Sequence, residues 1–559
     1  AAPFVVAPVL IVALGFAVAV SVRLAFRLPG WTVGIIGFGV ALWGGSLNLS
    51  QGHVANLLSV VCIVPAVLLV SLPSGSWSVQ MIGAIAAIMA SGLAHPGTLP
   101  FYAATSFVWV VLSVPGIVRA RREGKRWWQE PSCTFTIALV VAGTIVALSI
   151  FGLFSVGVDE FTNIDDRVSS FGLRLRQVVR SVGLWVTPVT ALAAIGVVAV
   201  WRLRRPSSGP LIRFGLALSI VSIAGALVAV VDPMVPGHRA LGMILPLPTL
   251  AALGVVGIAL AVIAWRSGTT SGRTSVRIVR VLVAIGAAIA LIVFVVSPGL
   301  QRLGKRADAK PRGGPAQAIA SYVAAVEPEG PVVVFVDPAR KLDALSWRGR
   351  QNQIRALAPA SSIDEIFLLV GRLGADGLPE RGTAPGRGGR RAFEYAVERS
   401  WSAGGAALRD DPIIVVPQAY VRAEMWNQVA SDPSRVVLPG LAVLRGPLES
   451  PAELVPMARL RVGAAVGRII VALLALALLG AGYGVSIARN RRGNWLDGMA
   501  LAPSVGSILV VLAGVAVAAV GGDPGGPLGL VAVGVGSGVG YGLAWRRWRL
   551  TRWEGRHVA

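Results

Sequence analysis

The chain has 559 residues, of which 55% are hydrophobic and only 14% charged, and its mean hydropathy is +0.71. A soluble domain carries roughly 25% charged residues, so this composition excludes an ordinary soluble protein and implies a polytopic membrane protein. The net charge of +24 would point to nucleic acid in a soluble chain. Here the arginines sit beside apolar runs, where they set topology and meet anionic headgroups, and no soluble element shows a basic face, so nucleic acid is excluded as a partner.

Taken in order, apolar windows of spanning length fall at residues 4–26, 31–45, 54–72, 77–94, 99–118, 134–154, 182–201, 211–231, 241–265 and 278–296. Three more follow at 463–487, 499–520 and 528–544. The expected fold is therefore a polytopic α-helical membrane protein with about thirteen transmembrane helices. The window at 31–45 is the shortest and is rich in glycine. Cys62 and Cys133 lie in or at the edge of windows, which favours buried structural thiols over a disulfide or a cysteine metal site. The chain opens with Ala-Ala-Pro and shows no signal-peptide pattern.

Basic residues punctuate alternate connections. Arg23 and Arg27 follow the first window; Arg119, Arg121, Arg122, Lys125 and Arg126 follow the fifth. Arg202, Arg204 and Arg205 follow the seventh, Arg266 and Arg273 the ninth, and Arg489, Arg491 and Arg492 the eleventh. Arg546, Arg547, Arg549 and Arg552 follow the last. By the positive-inside rule these connections are cytoplasmic. The expected domains are then a transmembrane core (1–298), an extracytoplasmic block (299–460), C-terminal transmembrane helices (461–545) and a basic cytoplasmic tail (546–559). The same parity puts the given N-terminus outside, which implies a preceding helix and a first outer loop upstream of it.

The opposite connections are poor in lysine and arginine, and three of the four histidines fall on them. His53 and His95 stand at helix ends, in Ser-Gln-Gly-His and Ala-His-Pro-Gly. An imidazole there could bind a phosphate or sugar hydroxyl or move a proton, or it could simply satisfy a helix terminus. Asp232, His238 and Arg239 share a short Pro-containing turn. The Arg fork suits a phosphate or pyrophosphate, although a capping Asp with an interfacial Arg would look the same. Residues 155–181 carry Asp159, Glu160, Asp165 and Asp166, then Arg167, Arg174, Arg176 and Arg180. Asp165 and Asp166 are candidates for a general base or oxygen ligands to a divalent cation, and Arg174 for substrate binding; an amphipathic surface helix is the alternative. On this view the polar chemistry concentrates on the outer face.

Residues 299–460 form the one soluble-looking block. Helices are expected at 317–326, 364–370, 393–400 and 420–430, and strands at 331–336, 412–416 and 436–444, the last as one strand or a pair. Residues 371–391, with Gly-Arg-Gly-Gly-Arg-Arg, read as a flexible basic loop. The order implies a small α/β domain. It contains no phosphate loop, nucleophile elbow or metal-ligand spacing, so it reads as an acceptor-binding or lid domain.

Three places carry a family likeness: Gln51-Gly52-His53 running to Val64-Pro65, Leu93-Ala94-His95-Pro96, and Asp232 through His238-Arg239 to Leu245-Pro246 and Ala251-Ala252-Leu253-Gly254. Together with the many spans and the late outer domain they resemble GT-C-type membrane glycosyltransferases, in particular actinobacterial GT-C-like integral membrane proteins. The resemblance covers roughly the first half of the chain and rests on short patterns. It implies transfer of a sugar from a polyprenyl-phosphate-linked donor to an envelope glycan or lipid acceptor on the outer face of a bacterial plasma membrane. It also implies a catalytic Asp or Glu in the first outer loop, upstream of the given sequence, with Arg239 and His53 stabilising the departing phosphate. A divalent cation, Mg or Mn, could assist, but no residue commits to one. Two other classes stay open: a transporter or flippase of lipid-linked glycans, and a non-catalytic envelope-assembly protein. No clear internal repeat appears and the charges cluster at helix ends, which favours the enzyme.

Overall fold

The computed structural model describes residues 2–41, 54–71, 76–124, 126–149, 188–205, 208–231, 246–267, 330–336, 366–374, 379–381, 405–409, 412–433, 435–438, 440–445, 462–490 and 493–557, with residues 318, 319, 322, 323, 326, 397, 400 and 401. Their contacts divide into a helical unit and a smaller unit within Gly304–Arg461.

In the helical unit, α1 is Ala2–Phe26, α2 Thr32–Val40, α3 Val54–Ser71, α4 Trp77–Ala94, α5 Leu99–Arg122 and α6 Pro131–Leu148. After these come α7 Pro188–Leu203, α8 Gly209–Val231 and α9 Pro246–Ser267. Proline opens α6 at Pro131, directly after the Glu130 N-cap, where its missing N–H costs nothing and its φ is already helical. Seven helices among the described residues are long and apolar enough to cross a membrane, and four more are apolar but shorter. Of the expected window at 31–45, the described part is the nine-residue α2, and residues 42–45 lie outside the described residues. The window at 278–296 lies outside the described residues.

The first helix is the centre of this unit. In α1, 83% of the apolar spanning window is buried, against 17% to 50% for the other six long helices. An all-apolar helix has no polar face to turn outward, so it takes the interior position. Leu14, Ala17, Ala19 and Val20 are fully buried in the same core as Leu57, Val61 and Ile88.

The C-terminal group packs through glycine. Here α11 is Val462–Asn490, α12 Trp495–Ala519 and α13 Pro527–His557. A β-carbon at Gly480 would run into the backbone of Ala502, one at Gly484 into Gly498, and one at Gly506 into Leu476, so α11 and α12 run antiparallel with their backbones in contact. Likewise Gly196 of α7 lies on Leu250 of α9, and Gly254 on Leu192. Inside lipid there is no hydrophobic drive between apolar helices, and close approach of small residues supplies the dispersion that holds them. The basic segment after residue 545 continues the α13 helix to His557.

An ion pair ties these parts together. Arg23, in the last turn of α1, donates to Asp497 in the first turn of α12. Asp497 is the one acidic residue within the seven long apolar spans. It also completes a capping box: its Oδ2 accepts from Asn494 N at 2.8 Å, and its own N–H donates to Asn494 Oδ1 at 3.0 Å.

The smaller unit is a mixed sheet. Its strands are β1 Val332–Val336, β2 Ile366–Val370, β5 Ile413–Pro417, β6 Val436–Leu438 and β7 Leu441–Arg445, in the order β2-β1-β5-β7-β6. The first three are parallel and β7 and β6 are antiparallel additions. Both faces are covered, one by Ile319, Tyr322 and Val323, the other by Val421, Val429 and Trp426, the last two from helix α10 (Ala423–Ala430). Gly440, at φ 75°, makes the β6–β7 turn, a conformation an L side chain rarely adopts.

Two expectations are corrected here. Residues 364–370 were expected as helix, yet Ile366–Val370 is β2, registered with Val332–Val336. A five-residue apolar run buried on both faces of a parallel sheet has no alternation to mark it as a strand. Within the expected loop 371–391, β3 (Arg372–Leu373) pairs with β4 (Pro379–Glu380) as a short antiparallel ladder. The strands at 331–336 and 412–416 and the pair within 436–444 stand as expected. Residues 318–326 and 397–401 that are described are helical.

Asp497→Ala leaves the Arg23 guanidinium uncompensated and should cost on the order of 3 kcal/mol, seen as a lower melting temperature of the detergent-solubilised protein. Combining Arg23→Met with Asp497→Leu should recover most of it. Gly506→Leu should lower the melting temperature further than Gly534→Leu, because nothing lies within 4 Å of a β-carbon at Gly534.

Candidate functional site

His95 is placed by the chain's own stereochemistry. A residue before proline is pushed out of the α region, so Pro96 ends α4 at Ala94 and leaves His95 extended, at φ −158° and ψ 94°. Its N–H still donates to Ser91 O at 3.1 Å. A single turn of 3₁₀ helix, Pro96–Thr98, then leads into α5.

Beside this turn lies a buried group of hydroxyls. Ser59 of α3, Ser91 of α4, Thr98 and Tyr102 of α5 are each at most 2% exposed. Thr98 Oγ1 donates to His95 O at 2.8 Å. Its proton is thereby used, so in its 2.8 Å contact with Ser59 Oγ it is the acceptor. Ser59 in turn accepts from Ser91 Oγ at 2.7 Å, and the Tyr102 hydroxyl lies against both serines. Ser91, Ser59 and Thr98 thus form a directed chain ending on the His95 carbonyl. Such a chain polarises itself and holds the helix ends in one arrangement. Sequence reasoning missed Ser59, Ser91, Thr98 and Tyr102, because isolated hydroxyls in apolar windows carry no signal until the helices meet.

Of the other expected site residues, His53, Asp165, Asp166, Arg174, Asp232, His238 and Arg239 lie outside the described residues.

Among the described residues, ion pairs stand at the other helix ends. Besides Arg23 and Asp497, Arg213 Nη2 of α8 bonds Glu130 Oε1 at 3.0 Å. Glu130 is the N-cap of α6 and takes the N–H of Ser132 at 2.8 Å, as well as its hydroxyl. Both acids stand in the first turn of a helix, where free N–H groups and the helix dipole favour negative charge. Both lie just outside the apolar windows read from the sequence, so they passed as loop residues. Among the described residues no three His, Cys, Asp or Glu side chains come together as metal ligands.

A cavity of ≈ 320 Å³ opens between α1, α3, α7, α8 and α9. Val22, Phe26, Val64, Val200, Ile212 and Leu253 are among its walls, and Tyr102 stands on it too. Ser21 and Ser219 also line it, but their hydroxyls are spent on Ala17 O at 2.8 Å and Gly215 O at 2.9 Å.

In the smaller unit, Trp401 Nε1 donates to Val370 O at 3.0 Å and the Ser400 hydroxyl accepts from Val370 N at 3.1 Å, closing the end of β2. The Arg381 guanidinium lies over the Trp401 ring, 5.8 Å from its centroid. Burial pushes the Tyr322 phenol above its usual range, so it stays protonated across physiological pH.

No family model matches the chain, and no curated protein matches it.

Ser59→Ala breaks the hydroxyl chain at its middle and leaves Ser91 and Thr98 each short of a partner. It should cost about 1–3 kcal/mol in thermal stability, whereas Ser219→Ala, which touches only its own helix backbone, should cost less than half as much.

Proposed function

We propose that the protein is a multi-pass membrane glycosyltransferase of the GT-C type, moving a sugar from a polyprenyl-phosphate donor to an envelope glycan or lipid on the extracytoplasmic face of a bacterial plasma membrane. The observation that carries this is the His95 end of the bundle, where a half-buried histidine stands at a helix terminus whose carbonyl is held by buried hydroxyls. A fixed helix end beside an apolar cavity suits a ligand with a polar head and a hydrocarbon tail.

The proposed topology has thirteen spans, with the α/β domain outside and the C-terminus in the cytoplasm. Support comes from contacts between residues that the alternation of basic connections assigns to one side. Arg23 meets Asp497, Glu130 meets Arg213, and Trp77 Nε1 donates to Thr134 Oγ1 at 3.1 Å, all at the arginine-rich ends. Ser59 and Thr98 meet at the other.

In the transfer, the acceptor oxygen bonds the anomeric carbon as the bond from that carbon to the phosphate oxygen breaks. The acceptor proton passes to a carboxylate, and the lipid phosphate leaves with the electron pair. Arg239 and His53 are proposed to stabilise that phosphate, with His95 orienting the donor. The α/β domain would hold the acceptor. Against transport of glycans stands the cavity itself, whose walls are almost wholly apolar and whose Ser21 and Ser219 hydroxyls are already bonded to their own helices.

Full-length protein in lipid nanodiscs, given a radiolabelled polyprenyl-phosphate sugar and envelope lipid, should transfer label. His95→Ala should lower the rate at least about tenfold without moving the melting temperature. Undiminished transfer by His95→Ala would remove His95 from the site, and no transfer by the wild type with any polyprenyl-phosphate sugar would sink the enzyme.

A further inference from the structure

We propose that the cavity between α1, α3, α7, α8 and α9 holds one hydrocarbon chain of an anionic phospholipid, whose phosphate sits on the arginines at the cavity's α1–α7 end. The ligand class follows from the walls. The Ser21 and Ser219 hydroxyls are bonded to their own helices and Tyr102 and Thr249 are engaged as well, so neither water nor a sugar finds partners there. A void of ≈ 320 Å³ within close-packed helices forfeits dispersion from every wall atom. Hydrocarbon restores that dispersion, and the surrounding medium is made of it.

The headgroup follows from the rim. Phe26 of α1 and Val200 of α7 line the cavity, and Arg27 follows the first while Arg202, Arg204 and Arg205 follow the second. All four arginines are exposed. The two buried acids at these helix ends are already engaged, Asp497 by Arg23 and Glu130 by Arg213, so they do not neutralise the rim. Arg202 and Arg204 lie over the exposed Trp201 ring at 5.5 and 5.4 Å, the aromatic-and-arginine pairing that marks a headgroup layer. Guanidinium groups beside an apolar slot match a lipid phosphate better than a zwitterionic headgroup, whose choline would face the same cations. This reading shares the cavity with the tail of the proposed sugar donor but not its polar end, since the charged rim is not the His95 end.

Full-length protein, delipidated in detergent, would be titrated separately with phosphatidylglycerol, phosphatidylcholine and a polyprenyl phosphate, reading bound lipid by native mass spectrometry and the melting temperature. Phosphatidylglycerol should bind most tightly and raise the melting temperature. The triple variant Arg202→Gln, Arg204→Gln, Arg205→Gln should bind it at least about tenfold more weakly, while phosphatidylcholine binding stays unchanged. Leu253→Trp should fill the slot and displace all three lipids; if that variant fails to fold, Val64→Phe gives the same readout with a smaller change. Equal binding of the two phospholipids, or an unaltered preference in the arginine variant, would overturn the proposal. So would tighter binding of polyprenyl phosphate that is weakened by His95→Ala and not by the arginine changes, an outcome that would leave the glycosyltransferase standing.

Discussion

The constraint on which this helical bundle depends is the pairing of Arg23 with Asp497. A carboxylate near the end of a membrane helix is costly unless a cation and hydrogen-bond donors meet it. Asp497 receives both, from Arg23 and from the Asn494 cap. Because Arg23 belongs to the most buried helix and Asp497 to the second of the last three, the pair fixes how the C-terminal group docks on the core. Ser504 repeats the link deeper in the bilayer, donating to the Ala13 carbonyl at 3.1 Å. The antiparallel glycine contacts of α11 and α12 then follow, since only small residues let two helices approach α1 side by side.

Where packing is driven by small residues, it is uneven. The α7–α9 pair closes on Gly196 and Gly254, and the α11–α12 pair on Gly480, Gly484 and Gly506. Between α1 and α8 stand Phe26, Val64, Phe214 and Leu218, too bulky and too irregular to close the space, and the cavity is what remains. In water such a volume would collapse or fill with solvent; in a bilayer it is open to lipid chains.

The two ends of the bundle differ in chemistry. One end has a chain of neutral hydroxyls, a histidine and no ion pair among the described residues; the other has two ion pairs with buried acids and exposed arginines stacked on tryptophan. The first end suits binding and release of a substrate headgroup, since neutral hydrogen bonds reorganise cheaply. The second suits anchorage, because each charge is held by a partner or by headgroups. That division underlies both proposals and assigns them to opposite helix ends.

Much of the helical unit was legible in the residues, because a bilayer permits few backbone structures and apolar runs of spanning length declare themselves. The strands Val332–Val336 and Ile413–Pro417 and the β6–β7 pair were legible for a similar reason, as short β-branched runs bounded by proline or glycine. Pro96 alone was enough to put His95 at a helix end. What the residues could not express was anything requiring two segments at once. Ile366–Val370 became a strand because β1 lay free to pair with it, while its own pattern fits a helix equally well. Ser59, Ser91 and Thr98 became a single chain, and Asp497 and Glu130 became buried ions, only when distant helices met. Hydropathy is a local property and determines which segments enter the membrane; hydrogen bonds, ion pairs and cavities belong to pairs of helices, so only the tertiary structure could decide them.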